Sequence, residues 1–475
     1  MNWLAEVSNL VLGPAEEEQE PAKDAAGTAK IEVFAKAGGG ASSCSDGSAA
    51  DEEVDAESEL ANLNLGNSDS RDGYLAEVGK VLMQPSKISK YIGMDMTNLM
   101  SVPLFIMEPF SMLQKMAEIM EYTELLDQAD AADDPYERLA LVAAFLVSPF
   151  GAAERTWKPF NPLLGETFEM EGVGNGVRFL AEQVCHSPPV SAAHAENDHF
   201  TYDIVSAPAT KFQGNSLEVY PKGRTRISLR HTGEVFSHVP PQAKVHNLVL
   251  GRTWIDSYGT FLVTNTKTGD KVVLEFKPCG WFGAGQYEFE GHVLVAEGNA
   301  RLAMSGKWNS YVDVCACNPD GSEIEGAELR RLWTCAEKPA EDQYGCTHFA
   351  WDLNNTKHLS RPPMASDSRR RADRHALQER EMVQAAAAKQ QLEEDQRQER
   401  KLREERGEQW QARWFEPAPD MQVLPGEEPA DVVPLWRWNG KYSEQLRDSL
   451  PIGSDNWQDD VCGKGFSTSV PVASQ

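Results

Sequence analysis

From about Gly172 to Trp351 apolar residues recur at every second position, in runs such as Phe200 to Val205, Thr225 to Leu229, Lys271 to Phe276, Tyr287 to Val295 and Tyr311 to Ala316. A period of two puts alternate side chains on opposite faces of a pleated strand. Clusters of Gly, Pro, Asn and Asp separate the runs at hairpin distances, with no helix-length crossover between them. Parallel neighbours need such a crossover, so the sheet is expected to be antiparallel and meandering. Many strands joined in this way close readily into a barrel, and a large barrel can enclose a ligand cavity.

Helical patterns flank the strands. Pro109 to about Asp127 carries Met112, Leu113, Met116, Ile119, Met120 and Leu125 at spacings of three to five, which predicts an amphipathic helix. A second helix is predicted from an N-cap at Asp134, with Pro135 in the first helical position, through Leu139, Val142, Ala143 and Leu146. Residues 372–411 are rich in Ala, Glu, Gln and Arg and lack Pro, which reads as one or two long helices. Trp410, Trp414, Phe415, Trp436 and Trp438 then mark a last packed segment.

The two ends read as unstructured. Residues 1–73 are rich in Ala, Gly, Ser and carboxylates, too poor in apolar surface to offset the entropy of ordering, and are expected to be a disordered acidic tail. Residues 451–475 read as a flexible tail. Between them, 74–450 is expected to form one domain, consistent with 41% apolar residues in the chain.

Charge and cysteine usage narrow the function. A formal net charge of −28 opposes the cationic neutralisation on which nucleic-acid affinity rests, and it limits contact with anionic membranes to brief, local visits. No window holds the roughly 18 to 20 uninterrupted apolar residues of a spanning helix, and Met1 to Leu12 has no basic region. Eight scattered cysteines suit a reducing compartment, so a cytoplasmic protein is expected. No cofactor is expected. Cys315, Cys317, Cys346 and His348 lack zinc-knuckle spacing, and His186, adjacent to Cys185 on a strand, points to the opposite face and cannot serve as its base. No catalytic or metal set emerges, and an enzyme is not expected.

Two segments hold polar residues that a plain strand or turn would not need: Trp157 to Thr167, reading WKPFNPLLGET, and Glu182 to Val190, reading EQVCHSPPV. Together they resemble the two hallmark motifs of the oxysterol-binding protein family, whose usual forms are KPFNPLLGET and EQVSHHPP. Gly93 to Leu99 with Val102-Pro103, Glu108 to Gln114, Val245 to Gly251, Gly280-Trp281-Phe282, Gly306 to Asn309, Phe349 to Asn354 and Ser366 to Arg369 with Asp373 follow the family in order. The resemblance spans about Ile92 to Tyr442.

The resemblance implies an α+β fold: a large incomplete antiparallel β-barrel, about 155–355, around an apolar lipid tunnel, with an N-terminal lid, about 85–105, and flanking helices. It implies non-enzymatic lipid binding and transfer, a sterol or phospholipid being exchanged against phosphatidylinositol 4-phosphate between membranes. A lipid sensor or scaffold acting through a protein partner is the alternative on the same fold.

A phosphomonoester presents several acceptor oxygens and more than one charge, so it needs converging, preferably cationic donors. By resemblance Lys158, Asn161 and His186 supply them, with Ser187 standing where the family usually has a second histidine. Lys389, Glu393 and Arg397, spaced by four, share one helical face and match the family's remaining head-group residues. Met96, Thr97 and Leu99 are candidate lid contacts, in a methionine-rich stretch whose flexible thioethers suit varied cargo. Glu53 to Ala56 is similar in part to the acidic motif by which lipid-transfer proteins bind an endoplasmic-reticulum tether protein, without the aromatic residue expected near its start.

Overall fold

A computed structural model describes residues 104–248, 251–359, 363–425 and 427–442. The acidic segment 1–73 with its Glu53 to Ala56 motif, the lid residues Met96, Thr97 and Leu99, and segment 451–475 lie outside the described residues.

The first described element is a short 3-10 turn, Leu104–Ile106, leading into strand β1 (Met107–Ser111). Helix α1 (Met112–Ala117) starts one residue later than the strand ends, because Ser111 and Gln114 form a reciprocal capping box: Gln114 Oε1 accepts from the Ser111 amide at 3.0 Å. A 3-10 segment, Glu118–Tyr122, separates it from α2 (Glu124–Ala131). The single helix expected from Pro109 to Asp127 is thus a strand, two short helices and a 3-10 turn. The apolar stripe is real, since Leu113, Met116, Met120 and Leu125 are all buried, but periodicity does not distinguish α from 3-10 winding.

Helix α3 (Pro135–Val147) begins as the sequence indicates, with the Asp134 carboxylate accepting from the Tyr136 and Glu137 amides at 2.7 and 3.0 Å. Every residue from Arg138 to Val147 is buried, as expected of a helix apolar all round. By length and composition Pro135–Ala153 could cross a membrane, but 67% of that window is buried inside the protein. After α4 (Phe150–Ala153), β2 (Lys158–Phe160) pairs in parallel with β1, Met107 opposite Lys158.

A 15-stranded sheet follows. It contains β3 (Thr167–Val173), β4 (Val177–Cys185), β5 (Val190–Glu196), β6 (Phe200–Ser206), β7 (Ala209–Phe212), β8 (Ser216–Tyr220), β9 (Gly223–Leu229) and β10 (Val235–Val239). It continues through β11 (Gln242–His246), β12 (Trp254–Asn265), β13 (Lys271–Phe276), β14 (Glu288–Leu294), β15 (Ala300–Lys307), β16 (Tyr311–Ala316) and β17 (Arg330–Thr334). The main path runs β17-β16-β15-β14-β13-β12-β10-β9-β6-β5-β4-β3, antiparallel throughout, while β7, β8 and β11 form a side flap hung on the first half of β12.

One hydrophobic cluster joins Leu139, Val142 and Phe145 of α3 to Phe168 on β3, Phe261 on β12, Val293 on β14 and Trp333 on β17. Helix α3 packs on β13 to β17 while its Phe145 reaches Tyr202 on β6, so the sheet curls around it. The path ends at β3 and β17 without pairing them, so the barrel is incomplete. Inside it Phe150 packs on Phe276 and Trp308 at centroid distances of 5.2 and 6.3 Å, and Phe145 meets Tyr202 edge-on at 5.8 Å. Fully burying each such side chain contributes about 1.5–3 kcal/mol.

After the barrel come α5 (His348–Asp352), α6 (Ala372–Gln378) and the 25-residue α7 (Met382–Arg406). The C-terminal segment, with β18 (Phe415–Pro417) paired to β19 (Trp436–Trp438), lies on the outer face of β4 and β5. Trp414, Phe415 and Val433 there cover Leu180, Val184, Val190 and Ala192.

Candidate functional site

The segment Lys158 to Thr167 is shaped from within by two buried side chains. Phe160, 1% exposed, sits in a small core with Leu104, Met107, Ala376, Leu377 and Ala385, which ties β2 to α6 and to the start of α7. Glu166, fully buried, accepts from the Leu163 amide at 2.9 Å, the Ser111 and Ser368 hydroxyls at 2.5 and 2.6 Å and the Arg371 guanidinium at 2.8 Å. Arg371 also donates to the Asn161 carbonyl at 2.7 Å and pairs with Asp373. Burial works against its charge, yet Asp373 and Glu166 hold that guanidinium above its ordinary value. A buried ion pair with all its lone pairs satisfied specifies one geometry, and here that geometry is the turn after Asn161.

Gly165 closes the turn at φ +76°, where a Cβ would stand 2.5 Å from the Trp410 ring. Trp410 is in turn covered by the Arg403 guanidinium at 5.7 Å. The chain beyond α7 therefore folds back onto the first motif.

Within this frame the Lys158 ammonium donates to Asn161 Oδ1 at 2.6 Å. On α7 Lys389 is paired with Glu393 at 2.5 Å. The two helical residues lie close enough to act on Lys158: its pKa is pushed down to about 8, first by burial and then by the Lys389 ammonium, with Glu393 opposing and Arg371 adding to the effect. Cations gathered this closely repel one another, and an anion placed among them relieves that repulsion.

His186 sits at the turn after β4. Its Nε2 lies 2.9 Å from the Gln396 amide nitrogen, while Gln396 Oε1 accepts from the Leu164 amide at 3.2 Å. The backbone N–H orients the Gln396 amide, so its NH2 group faces the imidazole and donates to it. Ser187 follows, its carbonyl accepting from the Cys185 thiol at 3.6 Å.

The structure thus gathers Lys158, Asn161, Lys389 and Glu393 into one cluster and joins His186 to the same helix through Gln396. Arg397 is exposed and turned to Glu394, at 3.1 Å. Helix geometry accounts for this. At 100° per residue, eight positions carry Arg397 about 80° off the line of Lys389, whereas seven leave Gln396 about 20° from it. Gln396, Glu166 and Arg371 were not singled out in the sequence. The helical angle from Lys389 would have found the first, whereas nothing local marks the other two as partners.

In the second motif, Glu182 accepts from the Arg413 and Trp414 amides, both at 2.8 Å, and burial raises its pKa to about 7. That carboxylate fastens the C-terminal segment to the barrel, and Gln183, bonded to Ser191 at 2.5 Å, fastens β4 to β5.

An incomplete antiparallel barrel, with Lys158 beside it on β2 facing Lys389 and Glu393 of a long C-terminal helix, is the architecture of the oxysterol-binding proteins. The Oxysterol-binding protein family model matches residues 85–447, and the chain belongs to that family. It is 46% identical over 412 residues to oxysterol-binding protein-related protein 3B of Arabidopsis thaliana, covering 87% of this chain and 85% of that one. It is 47% identical over 367 residues to protein 3C of the same plant, covering 77% and 79%. Among solved structures, the Osh1 ORD domain in complex with ergosterol superposes with a TM-score of 0.68 at 33% identity, covering 76% of this chain and 88% of that one. The Osh3 ORD of Saccharomyces cerevisiae in complex with PI(4)P does so with 0.62 at 28%, covering 77% and 92%.

Proposed function

We propose that this protein holds a sterol, or another lipid of similar size, inside its barrel and carries it between membranes in exchange for phosphatidylinositol 4-phosphate. The observation that carries this reading is the meeting of Lys158, bonded to Asn161 at 2.6 Å, with Lys389 and Glu393 of α7, close enough that burial and the Lys389 ammonium push the Lys158 pKa down to about 8 against the pull of Glu393. A phosphomonoester would add acceptor oxygens between Lys158 and Lys389, in competition with the Glu393 carboxylate that now pairs Lys389 at 2.5 Å, while Asn161 and Glu393 would meet inositol hydroxyls. His186 and Ser187 border the same helix from the β4–β5 turn and would add neutral bonds, Arg397 a peripheral charge. Relatives solved with ergosterol and with PI(4)P support both cargos.

No covalent chemistry is part of the proposal. The protein acts in the cytoplasm and touches membranes transiently. The test is displacement of bound fluorescent sterol by vesicles containing phosphatidylinositol 4-phosphate, for wild type and Ser187→His, at pH 6 and pH 8. Displacement by wild type, tightened by the histidine more at pH 6 than at pH 8, supports exchange. No displacement by either protein removes the phosphoinositide from the reading, and lipid binding without transfer between vesicles turns it into a sensor.

A further inference from the structure

Trp281 and Phe282 are 89% and 105% exposed, at the tip of the loop between β13 and β14. Large aromatic side chains held fully in water forgo the gain of burial, and an adjacent pair at a loop tip calls for a partner. The loop is built to hold them out. Gly280 donates to the Ala284 carbonyl at 2.8 Å, and Lys277 to the Glu288 carbonyl at 2.9 Å. The Cys279 amide is anchored on Asp256 at 2.9 Å. Tyr287 fixes the base of the loop against fully buried Trp308, at a centroid distance of 4.8 Å. Phe282 adopts φ 60°, sparsely populated for a residue with a side chain, within this bonded turn.

Strand direction tells where the tip lies. Along the antiparallel path β4 and β13 are six places apart, so both run the same way. The loop after β13 therefore leaves the sheet at the same end as the turn after β4, which carries His186. In a chain of net charge −28, residues 277–287 contain no carboxylate and one lysine, Lys277, itself paired with Glu290 at 2.9 Å.

We propose that the Trp281–Phe282 tip is a wedge that inserts into a bilayer surface and docks the cargo-loading end of the barrel on the membrane. A protein partner is the poorer occupant. The tip is convex and flanked by Gly280, Gly283, Ala284 and Gly285, far short of the roughly 800 Å² per side of a stable protein interface. Headgroup-level insertion needs only a small apolar wedge, and an indole suits that boundary. Because the one lysine is paired, insertion works on neutral lipid as well as anionic lipid.

This inference rests on the membrane-to-membrane reading above, and the experiment separates the two. Full-length protein is floated with phosphatidylcholine vesicles, with and without phosphatidylserine. Trp281→Ala with Phe282→Ala is expected to lower partitioning about tenfold or more on both, whereas Trp281→Phe with Phe282→Leu keeps it within about threefold. Bilayers with brominated acyl chains quench wild-type tryptophan fluorescence, and Trp281→Phe loses most of that quenching while still bound. Sterol uptake from solution stays unchanged in every variant. An alanine pair that floats like wild type overturns the wedge, as does a loss confined to anionic vesicles and abolished by salt, or quenching that survives Trp281→Phe. Absence of sterol uptake by wild type instead strikes the transfer reading and leaves the wedge to be judged on flotation.

Discussion

Gln396 and His186, 210 positions apart, meet at 2.9 Å, and the same amide holds the Leu164 backbone at 3.2 Å. One side chain on α7 therefore bridges both motifs. Since the Gln396 NH2 group donates, the imidazole accepts at Nε2 and is neutral in this arrangement. A phosphate that recruits His186 as a charged donor must displace this bond.

Gln396→Leu should leave the Leu164 amide unsatisfied and loosen the β4–β5 turn. Each lost bond costs about 0.5–1.5 kcal/mol, so phosphoinositide affinity is expected to fall and the urea midpoint to drop modestly. Sterol binding should persist. Vesicle competition alongside urea denaturation checks this; an unchanged affinity would show that the bridge is incidental.

Lys158 sets function against stability. Its pKa in the folded chain is pushed from 10.5 to about 8, mainly by burial and next by Lys389. Below pH 8 the group is charged both folded and unfolded, and the destabilisation is fully present. Between about 8 and 10.5 the folded chain releases its proton first, so the cost fades as pH rises. Lys158→Met should accordingly raise the lipid-free unfolding midpoint at pH 7 and do so less at pH 10, while abolishing head-group binding. In wild type, head-group affinity should decline as pH rises through 8. A stabilisation equal at both pH values would contradict the assignment.

Glu166 is expected to be structural. Glu166→Ala removes one of the two carboxylates on buried Arg371 and the shared acceptor of Ser111, Leu163 and Ser368, and should cost about 3 kcal/mol or more, lowering the urea midpoint and weakening both cargos together. Loss of phosphoinositide binding alone, with stability intact, would place Glu166 among the ligand contacts instead.

Gly165→Ala tests the contact with Trp410. The methyl would stand 2.5 Å from that ring at a backbone φ of +76°. Destabilisation of more than about 1 kcal/mol is expected, from the left-handed strain together with the clash. Adding Trp410→Ala should remove only the steric part, so the double-mutant cycle should show coupling of at least about 0.5 kcal/mol. Additive effects would mean that the ring does not pack there.

Much of the fold was legible in the chain because its signals are local. Alternation located Lys271–Phe276 and Tyr311–Ala316 to the residue, and Asp134 before Pro135 announced α3. The same locality explains the misses. Strands β7, β8 and β11 are half exposed on both faces and show little alternation. The capping box at Ser111, readable in principle, was masked by an apolar stripe that a helix, a 3-10 turn and a strand all share.

By itself the sequence determined an antiparallel sheet and the family, and it nominated Lys158, Asn161, Lys389 and Glu393, which the structure brings together, because hydrophobic period, turn residues and motifs lie in contiguous stretches. Only the tertiary structure decided that Glu166 and Arg371 shape the turn beneath those residues, that Gln396 rather than Arg397 faces His186, and that the Trp281–Phe282 tip leaves the sheet at His186's end. Each of these depends on which distant segments pack together: the helical angle from Lys389 can nominate Gln396, but what that side chain meets, and where a buried pair or a loop tip lies, is settled only by the packing.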